Sequence, residues 1–274
     1  MTEFLQMLQS FSTPALDTFF LVISALTGEL VYFLILGYFY WCRDKKSAFS
    51  AAIIMIGSFT VNCGLKNLFK IPRPFEYAPV RQIDVKTGYG YSFPSGHAQL
   101  STTFAGVSSA MLKKRWAYIS GVALVVLTGL SRMYLGVHTP VDILFGIITG
   151  AAVTALGLLI LKNDRYIAPV SVIVVVATII LSVITGDEDL YKMSGMATGF
   201  VAGYFADCHF IHFDTSGTRI RKLVRFITGV VLVALVKVCI SAIFADKFIQ
   251  YAAIGLTFTA IIPLLCKFEK TIYK

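Results

Sequence analysis

The chain contains more membrane-length apolar sequence than a water-soluble fold can hide. Nine stretches, at about 16–41, 47–69, 97–112, 115–133, 140–161, 167–185, 192–209, 223–244 and 248–266, approach the roughly 20 apolar residues that cross a bilayer. In lipid the backbone has no water to bond, so such stretches must satisfy their own hydrogen bonds as helices. The period-two alternation of a membrane barrel is absent. The pattern predicts an all-α, polytopic transmembrane bundle of about nine spans. Two soluble domains would fit 274 residues, but a composition that is 57% hydrophobic and 14% charged excludes them.

The first residues, MTEFLQMLQSF, carry Glu3 and no basic cluster, so they do not read as a cleavable signal. Phe4, Leu8 and Phe11 share one helical face, which predicts an interfacial helix leading into the first span. A separate crossing at 29–41 is too short, so Gly28 and Glu29 are expected within or beside one tilted helix. Cys42, Cys63, Cys208, Cys239 and Cys266 are scattered with no CxxC spacing, giving neither a disulfide framework nor a zinc site.

The net charge of +9 would point to nucleic acid in a soluble protein; here it reads as topology, with no nucleic-acid partner. Short loops rich in Lys and Arg stay cytoplasmic. One set of alternate loops holds Arg43, Lys45, Lys46, then Lys113, Lys114, Arg115, then Lys162, Arg165, then Arg219, Arg221, Lys222, and finally Lys267, Lys270 and Lys274. The other holds Glu3, the acidic run Asp187 to Asp189, and Asp246 with Lys247. This partition predicts an outside N-terminus and a cytoplasmic C-terminus in a cell-membrane, multi-pass protein. Residues 66–86 break it, with Lys66, Lys70, Arg73, Arg81 and Lys86 against Glu76 and Asp84, and Arg132 follows on the same face. A solvated loop is the ordinary reading of such a stretch. Charge placed against the topological gradient also fits an anion site.

Three stretches converge on that outer face: KNLFKIPRP (Lys66 to Pro74), FPSGH (Phe93 to His97) and SRMYLGVHTPVD (Ser131 to Asp142). Pro94-Ser95-Gly96 before an apolar run is a helix start, whose free N–H groups and dipole suit an anion. Lys66 and Arg73 add fixed charge, the arginine as a planar fork matched to phosphate oxygens. Thr139-Pro140-Val141-Asp142 reads as an N-cap, an N1 proline and an acid at N3, so Asp142 has an ordinary capping role open to it. His138 stands one residue before that cap. A carboxylate bonded to one ring nitrogen would leave the other facing the anion site as a neutral nucleophile.

The three stretches resemble the signature of the type 2 phosphatidic acid phosphatase superfamily, which includes glucose-6-phosphatases and vanadium haloperoxidases. Its pattern is Lys, six residues, Arg-Pro; then Pro-Ser-Gly-His; then Ser-Arg, five residues, His, three residues, Asp. All eleven specified positions are present in order. The resemblance covers residues 47–161 closely and implies phosphoryl transfer without metal or cofactor. It implies catalytic roles for His138 as nucleophile, Asp142 as its orienting partner and His97 as acid and base. Lys66, Arg73, Ser95, Gly96 and Arg132 would cradle the phosphoryl oxygens. Two spans before the first motif and nine in all look like the glucose-6-phosphatase and sphingosine-phosphate phosphatase branch.

The expectation is one integral membrane domain over residues 1–274, with a catalytic core at 47–161 and further spans at 162–274. Its substrate would be a lipid phosphate or pyrophosphate presented among membrane lipids, with the reaction on the extracytoplasmic side. A soluble ester such as a sugar phosphate is the enzymatic alternative. A lipid-phosphate transporter or binding protein is the non-enzymatic one, disfavoured because binding needs no nucleophile. Asp207 to Asp214 gathers Cys208, His209 and His212, as an interfacial polar rim or a metal set. Lys237 within the eighth span should face the interior, pair with an acid such as Glu29, or snorkel. Gly195, Gly199 and Gly203, with Gly146 and Gly150, lie four apart and predict close helix packing, internal or in a homodimer.

Overall fold

The structure, a computed structural model, describes residues 2–272, with side chains to residue 267. Lys270 and Lys274, counted above among the cytoplasmic basic residues, lie outside the described side chains. Every regular element among the described residues is helical. The helices are α1 (Thr2–Ser10), α2 (Pro14–Leu26), α3 (Glu29–Cys42), α4 (Lys45–Phe69), α5 (Pro74–Tyr77), α6 (Gly96–Leu112), α7 (Arg115–Tyr134), α8 (Pro140–Leu161), α9 (Ile167–Thr185), α10 (Glu188–Ala206), α11 (Arg219–Ile243), α12 (Lys247–Leu256) and α13 (Ile262–Ile272). The chain divides into two compact units, residues 1–32 with 57–162 and residues 33–56 with 163–274.

A helix stands at each of the nine predicted places, but they are not alike. Among the described residues six stretches are long and apolar enough to cross a membrane: Lys45–Tyr77, Arg115–Tyr134, Pro140–Leu161, Asp164–Thr185, Arg219–Ile243 and Lys247–Lys267. The predicted 16–41 helix is broken at Thr27 and Gly28 into α2 and α3, bent by 42°, and counts as a seventh if the pair is one span. Thr27 closes the last turn of α2 by donating its hydroxyl to the Ile23 carbonyl at 2.9 Å. Helices α6 and α10 fall short. With 17 residues, α6 is about 25 Å long at 1.5 Å per residue, and α10 opens on Asp187, Glu188 and Asp189.

The physical reason is that α6 packs against protein. In the first unit it contacts both α7 and α8, and its buried residues include Gln99, Ser101 and Thr103. Their polar atoms are matched: Gln99 Nε2 donates to the Ser58 carbonyl at 2.7 Å, Ser58 Oγ meets Thr103 Oγ1 at 2.8 Å, and Tyr32 Oη meets Ser101 Oγ at 2.7 Å. A buried hydroxyl without such a partner is costly, so these bonds fix the register of the helix. Helix α8 approaches through two glycines. A Cβ on Gly146 would lie 2.7 Å from the Ser95 carbonyl oxygen, and one on Gly150 would lie 2.5 Å from that of Gln99.

The second unit repeats the device. A Cβ on Gly199 would lie 1.9 Å from the Ala252 carbonyl oxygen, so α10 and α12 meet backbone to backbone. Gly195 faces the Phe248 backbone in the same way, Gly203 faces the Thr259 hydroxyl, and this glycine face is filled within the unit. Asp207 is fully buried, accepting from Lys45 Nζ at 2.6 Å and from the Phe213 amide at 2.8 Å. It anchors the turn where a metal set was the alternative. Among the described residues no three of His, Cys, Asp and Glu are placed so that they could hold a metal ion together. Lys237 is exposed on α11.

Candidate active site

All eight motif positions singled out in the sequence lie in the first unit, on four elements and the segments between them. Lys66 is in the last turn of α4, and Arg73 is the residue before α5. Ser95 caps α6, whose first two residues are Gly96 and His97. Arg132 lies in the last turn of α7, His138 sits in the link to α8, and Asp142 lies in the first turn of α8.

Arg73 is buried, and its guanidinium ties that link to the 70–95 segment. Nε donates to the Gly90 carbonyl at 3.0 Å, Nη2 to Tyr89 at 2.6 Å and Nη1 to Val137 at 3.0 Å. Nη1 also lies 3.3 Å from His138 Nε2. Lys66 Nζ donates to the Tyr91 carbonyl. The Ser95 amide donates to the Asp142 carbonyl at 3.0 Å, joining the starts of α6 and α8. Gly96 keeps α4 close, since a Cβ there would lie 3.1 Å from Asn62 Oδ1. His97 is half-buried.

The other face of His138 departs from expectation. Nδ1 is 3.7 Å from Asp142 Oδ2, beyond a direct hydrogen bond. Ser92 stands beside both: its hydroxyl donates to Asp142 Oδ2 at 2.7 Å and lies 3.4 Å from His138 Nδ1. The same carboxylate oxygen accepts the Thr139 amide at 2.7 Å, so Asp142 also closes its capping box. Burial first, then the charges of Arg73, Lys66 and Arg132, hold His138 well below the usual histidine range. That environment favours the neutral ring.

Arg132 is fully buried, and only one of its nitrogens is used. Nη1 donates to Ser24 Oγ at 2.6 Å and to Asp84 Oδ2 at 2.9 Å, while Nε and Nη2 have no partner. Sequence reasoning missed Ser92, Asp84 and Ser24. Ser92, three residues before Ser95, could have been found by proximity; the other two carry no local signal. Of the basic residues read against the gradient, Lys70 and Lys86 are exposed. Arg81 turns to the N-terminal helices, donating to Ser12 Oγ at 2.6 Å and pairing with Asp17 at 3.2 Å. The anion reading therefore contracts to Lys66, Arg73 and Arg132.

Comparison with known proteins turns this geometry into an identity. Residues 47–166 match the PAP2 superfamily, and residues 191–271 match the PAP2 superfamily phosphatase transmembrane extension. The chain belongs to the PAP2 superfamily. It is a membrane-embedded PAP2 phosphatase whose second matched region lies in the half that the motifs left unexplained. Sphingosine-1-phosphate phosphatase 2 of Mus musculus is 24% identical over 89% of this chain and 85% of its own. Undecaprenyl-diphosphatase of Sulfolobus acidocaldarius is 34% identical over 42% of this chain and 55% of its own. Lipid A 4'-phosphatase of Porphyromonas gingivalis is 31% identical over 51% and 64%. Among solved structures, Aquifex aeolicus LpxE superposes with a TM-score of 0.52 at 26% identity, covering 57% of this chain and 93% of that one.

Proposed function

We propose that this PAP2 phosphatase hydrolyses a lipid phosphate or lipid diphosphate through a phosphohistidine at His138. One observation carries the reading: the neutral His138 ring turns Nδ1 toward Ser92 and Asp142 and Nε2 toward the Arg73 guanidinium. With the proton on Nδ1, the Nε2 lone pair points where a phosphoryl group would be held by cations. Nε2 attacks phosphorus, the bond to the leaving oxygen breaks, and His97 gives that oxygen its proton. Water then attacks the phosphohistidine, His97 takes the water proton, and the N–P bond breaks to release inorganic phosphate. Lys66, Arg73, Arg132, the Ser95 hydroxyl and the Gly96 amide bind the phosphoryl oxygens, since phosphoryl transfer rests on positioning and charge stabilisation. No step calls for a metal or cofactor.

The lipid class rests on the names of the relatives, which act on sphingosine 1-phosphate, undecaprenyl diphosphate and lipid A. The positive-inside partition supports nine crossings, an outside N-terminus and an extracytoplasmic site at the cell membrane. A homodimer would use other faces than Gly146, Gly150, Gly195, Gly199 and Gly203, which internal contacts fill. The test is phosphate release by purified protein from phosphatidic acid, phosphatidylglycerophosphate, a polyprenyl diphosphate, a sphingoid phosphate and glucose 6-phosphate, with His138→Ala as the control. At least one lipid should be turned over faster than the sugar phosphate. The variant should lose roughly three orders of magnitude. Faster turnover of glucose 6-phosphate would overturn the lipid reading, and a variant within tenfold of wild type would overturn the nucleophile.

A further inference from the structure

We infer that Asp84 and Ser24 form a clamp that aims Arg132 at the phosphoryl group, making Asp84 a positioning residue for the reaction. The inference rests on the reading of Arg132 as a phosphoryl ligand. Neither residue belongs to the three motifs, and Ser24 precedes the matched PAP2 region, which begins at residue 47.

The geometry of the guanidinium is the argument. Nη1 spends its hydrogens on Ser24 Oγ at 2.6 Å and Asp84 Oδ2 at 2.9 Å, and Ser24 Oγ donates to the same carboxylate oxygen at 2.9 Å. Three groups thus meet in a closed triangle, all buried. The nitrogens left over, Nε and Nη2, are the pair whose N–H bonds run parallel along one side of the fork. That edge is the one that grips two oxygens of a phosphate at once. Leaving two charged donors unmatched in a dry site is expensive unless an acceptor joins them in the working state. Arg73, by contrast, has all three of its nitrogens engaged on backbone carbonyls.

The clamp is itself held. Asp84 Oδ2 accepts the Thr87 hydroxyl at 2.6 Å, and Oδ1 accepts the Thr87 amide at 3.1 Å, so the carboxylate cannot rotate away. On the other side, α2 is pinned to the end of α7. Ser131 Oγ donates to the Phe20 carbonyl at 2.8 Å, and the Phe20 and Tyr134 rings pack with centroids 4.3 Å apart. The N-terminal helices are therefore part of the phosphate site.

Orthovanadate inhibition of the purified full-length protein reads the clamp directly, alongside steady-state KM and kcat on the best lipid substrate. Asp84→Asn should weaken vanadate by about tenfold or more and raise KM, with a smaller change in kcat. A purely structural role would lower the active fraction and leave KM and vanadate affinity unchanged. Arg132→Ala should weaken vanadate further, and Asp84→Asn placed in that background should cost less than twofold more. If Asp84→Asn does not yield folded protein, Ser24→Ala carries the same cycle with Arg132→Ala, with a several-fold loss of vanadate affinity alone and none in the double variant. An undiminished loss in the Arg132→Ala background, or wild-type vanadate affinity in both Asp84→Asn and Ser24→Ala, overturns the clamp. Wild-type vanadate affinity in Arg132→Ala would instead sink the reading of Arg132, and the clamp with it.

Discussion

Gly146→Ala puts the smallest possible wedge between α8 and the start of α6. The added Cβ would lie 2.7 Å from the Ser95 carbonyl oxygen, 3.2 Å from Ala98 Cβ and 3.3 Å from the Gln99 amide nitrogen. Ordinary contact begins near 3.4 Å, so the helices must part by about 0.7 Å. The oxygen cannot turn aside, because it accepts the Gln99 amide in the first turn of α6 at 3.0 Å. Overpacking of this kind costs about 1–3 kcal/mol, partly offset by the roughly 1 kcal/mol that alanine gains over glycine inside a helix. Stability should therefore fall by no more than about 2 kcal/mol. Activity should suffer more, because Ser95 bonds the Asp142 carbonyl at 3.0 Å and is followed by Gly96 and His97. Misplacement approaching 1 Å costs up to about a hundredfold in rate. We expect kcat to fall between about tenfold and a hundredfold, measured as phosphate release in mixed micelles beside a thermal melt in the same detergent. A variant with wild-type kcat would refute the view that this glycine contact sets the spacing of the two catalytic helix starts.

Ser92→Ala should lower kcat by about tenfold with KM unchanged, since the hydroxyl lies on the far side of the proposed nucleophile, His138, and not on the cation set; a rise in KM alone would contradict this. For topology, Lys86→Cys in a background lacking native cysteines should react with an impermeant thiol reagent in intact cells. Lys162→Cys should react only after lysis, and the reverse pattern would move the site to the cytoplasm. Acid stability should report Asp84. Burial alone would raise its carboxyl, but the Thr87 hydroxyl, Arg132, the Thr87 amide and Ser24 overcome this and hold it at about 2, below its ordinary 3.8. A depressed carboxyl stabilises the fold above the ordinary value and loses that contribution as pH falls through the folded one. Roughly 2 kcal/mol should thus vanish between about pH 4 and pH 2, and Asp84→Asn should not show that loss.

Much of the site was legible because its residues advertise themselves locally. Thr139 is an N-cap, Pro140 is an N1 proline and Asp142 completes a capping box, and the structure realises each as read; the helix start read at Pro94-Ser95-Gly96 falls with Ser95 as the cap. Arg73 and Lys66 stood out as charge in the wrong place. What stayed hidden is held by distance in sequence: Asp84 lies 48 residues from Arg132 and 60 from Ser24, and a lone acid in a polar loop has no periodicity to betray such a bond. The same charge count overreached at Arg81, which serves α1 and α2. Hydropathy placed a helix at each of the nine stretches but gave no sign of α5 or of the different character of α6. Gln99, Ser101 and Thr103 make α6 polar by the standards of a lipid-facing segment because its neighbours are protein. The break after Thr27 was invisible for a related reason, since Gly28 sits as easily inside a tilted helix as between two.

The burial of Arg132 sets an order of events during synthesis. A guanidinium at the end of a membrane-length helix is costly until it meets an acceptor. Its acceptors, Ser24 and Asp84, both precede it in the chain, so each has left the ribosome before α7 is complete. A nascent chain ending just past Tyr134 already holds every protein group that neutralises this arginine, while His138 and Asp142 are still to come. The proposed anion-binding half of the centre is thus provided for before the proposed nucleophile exists.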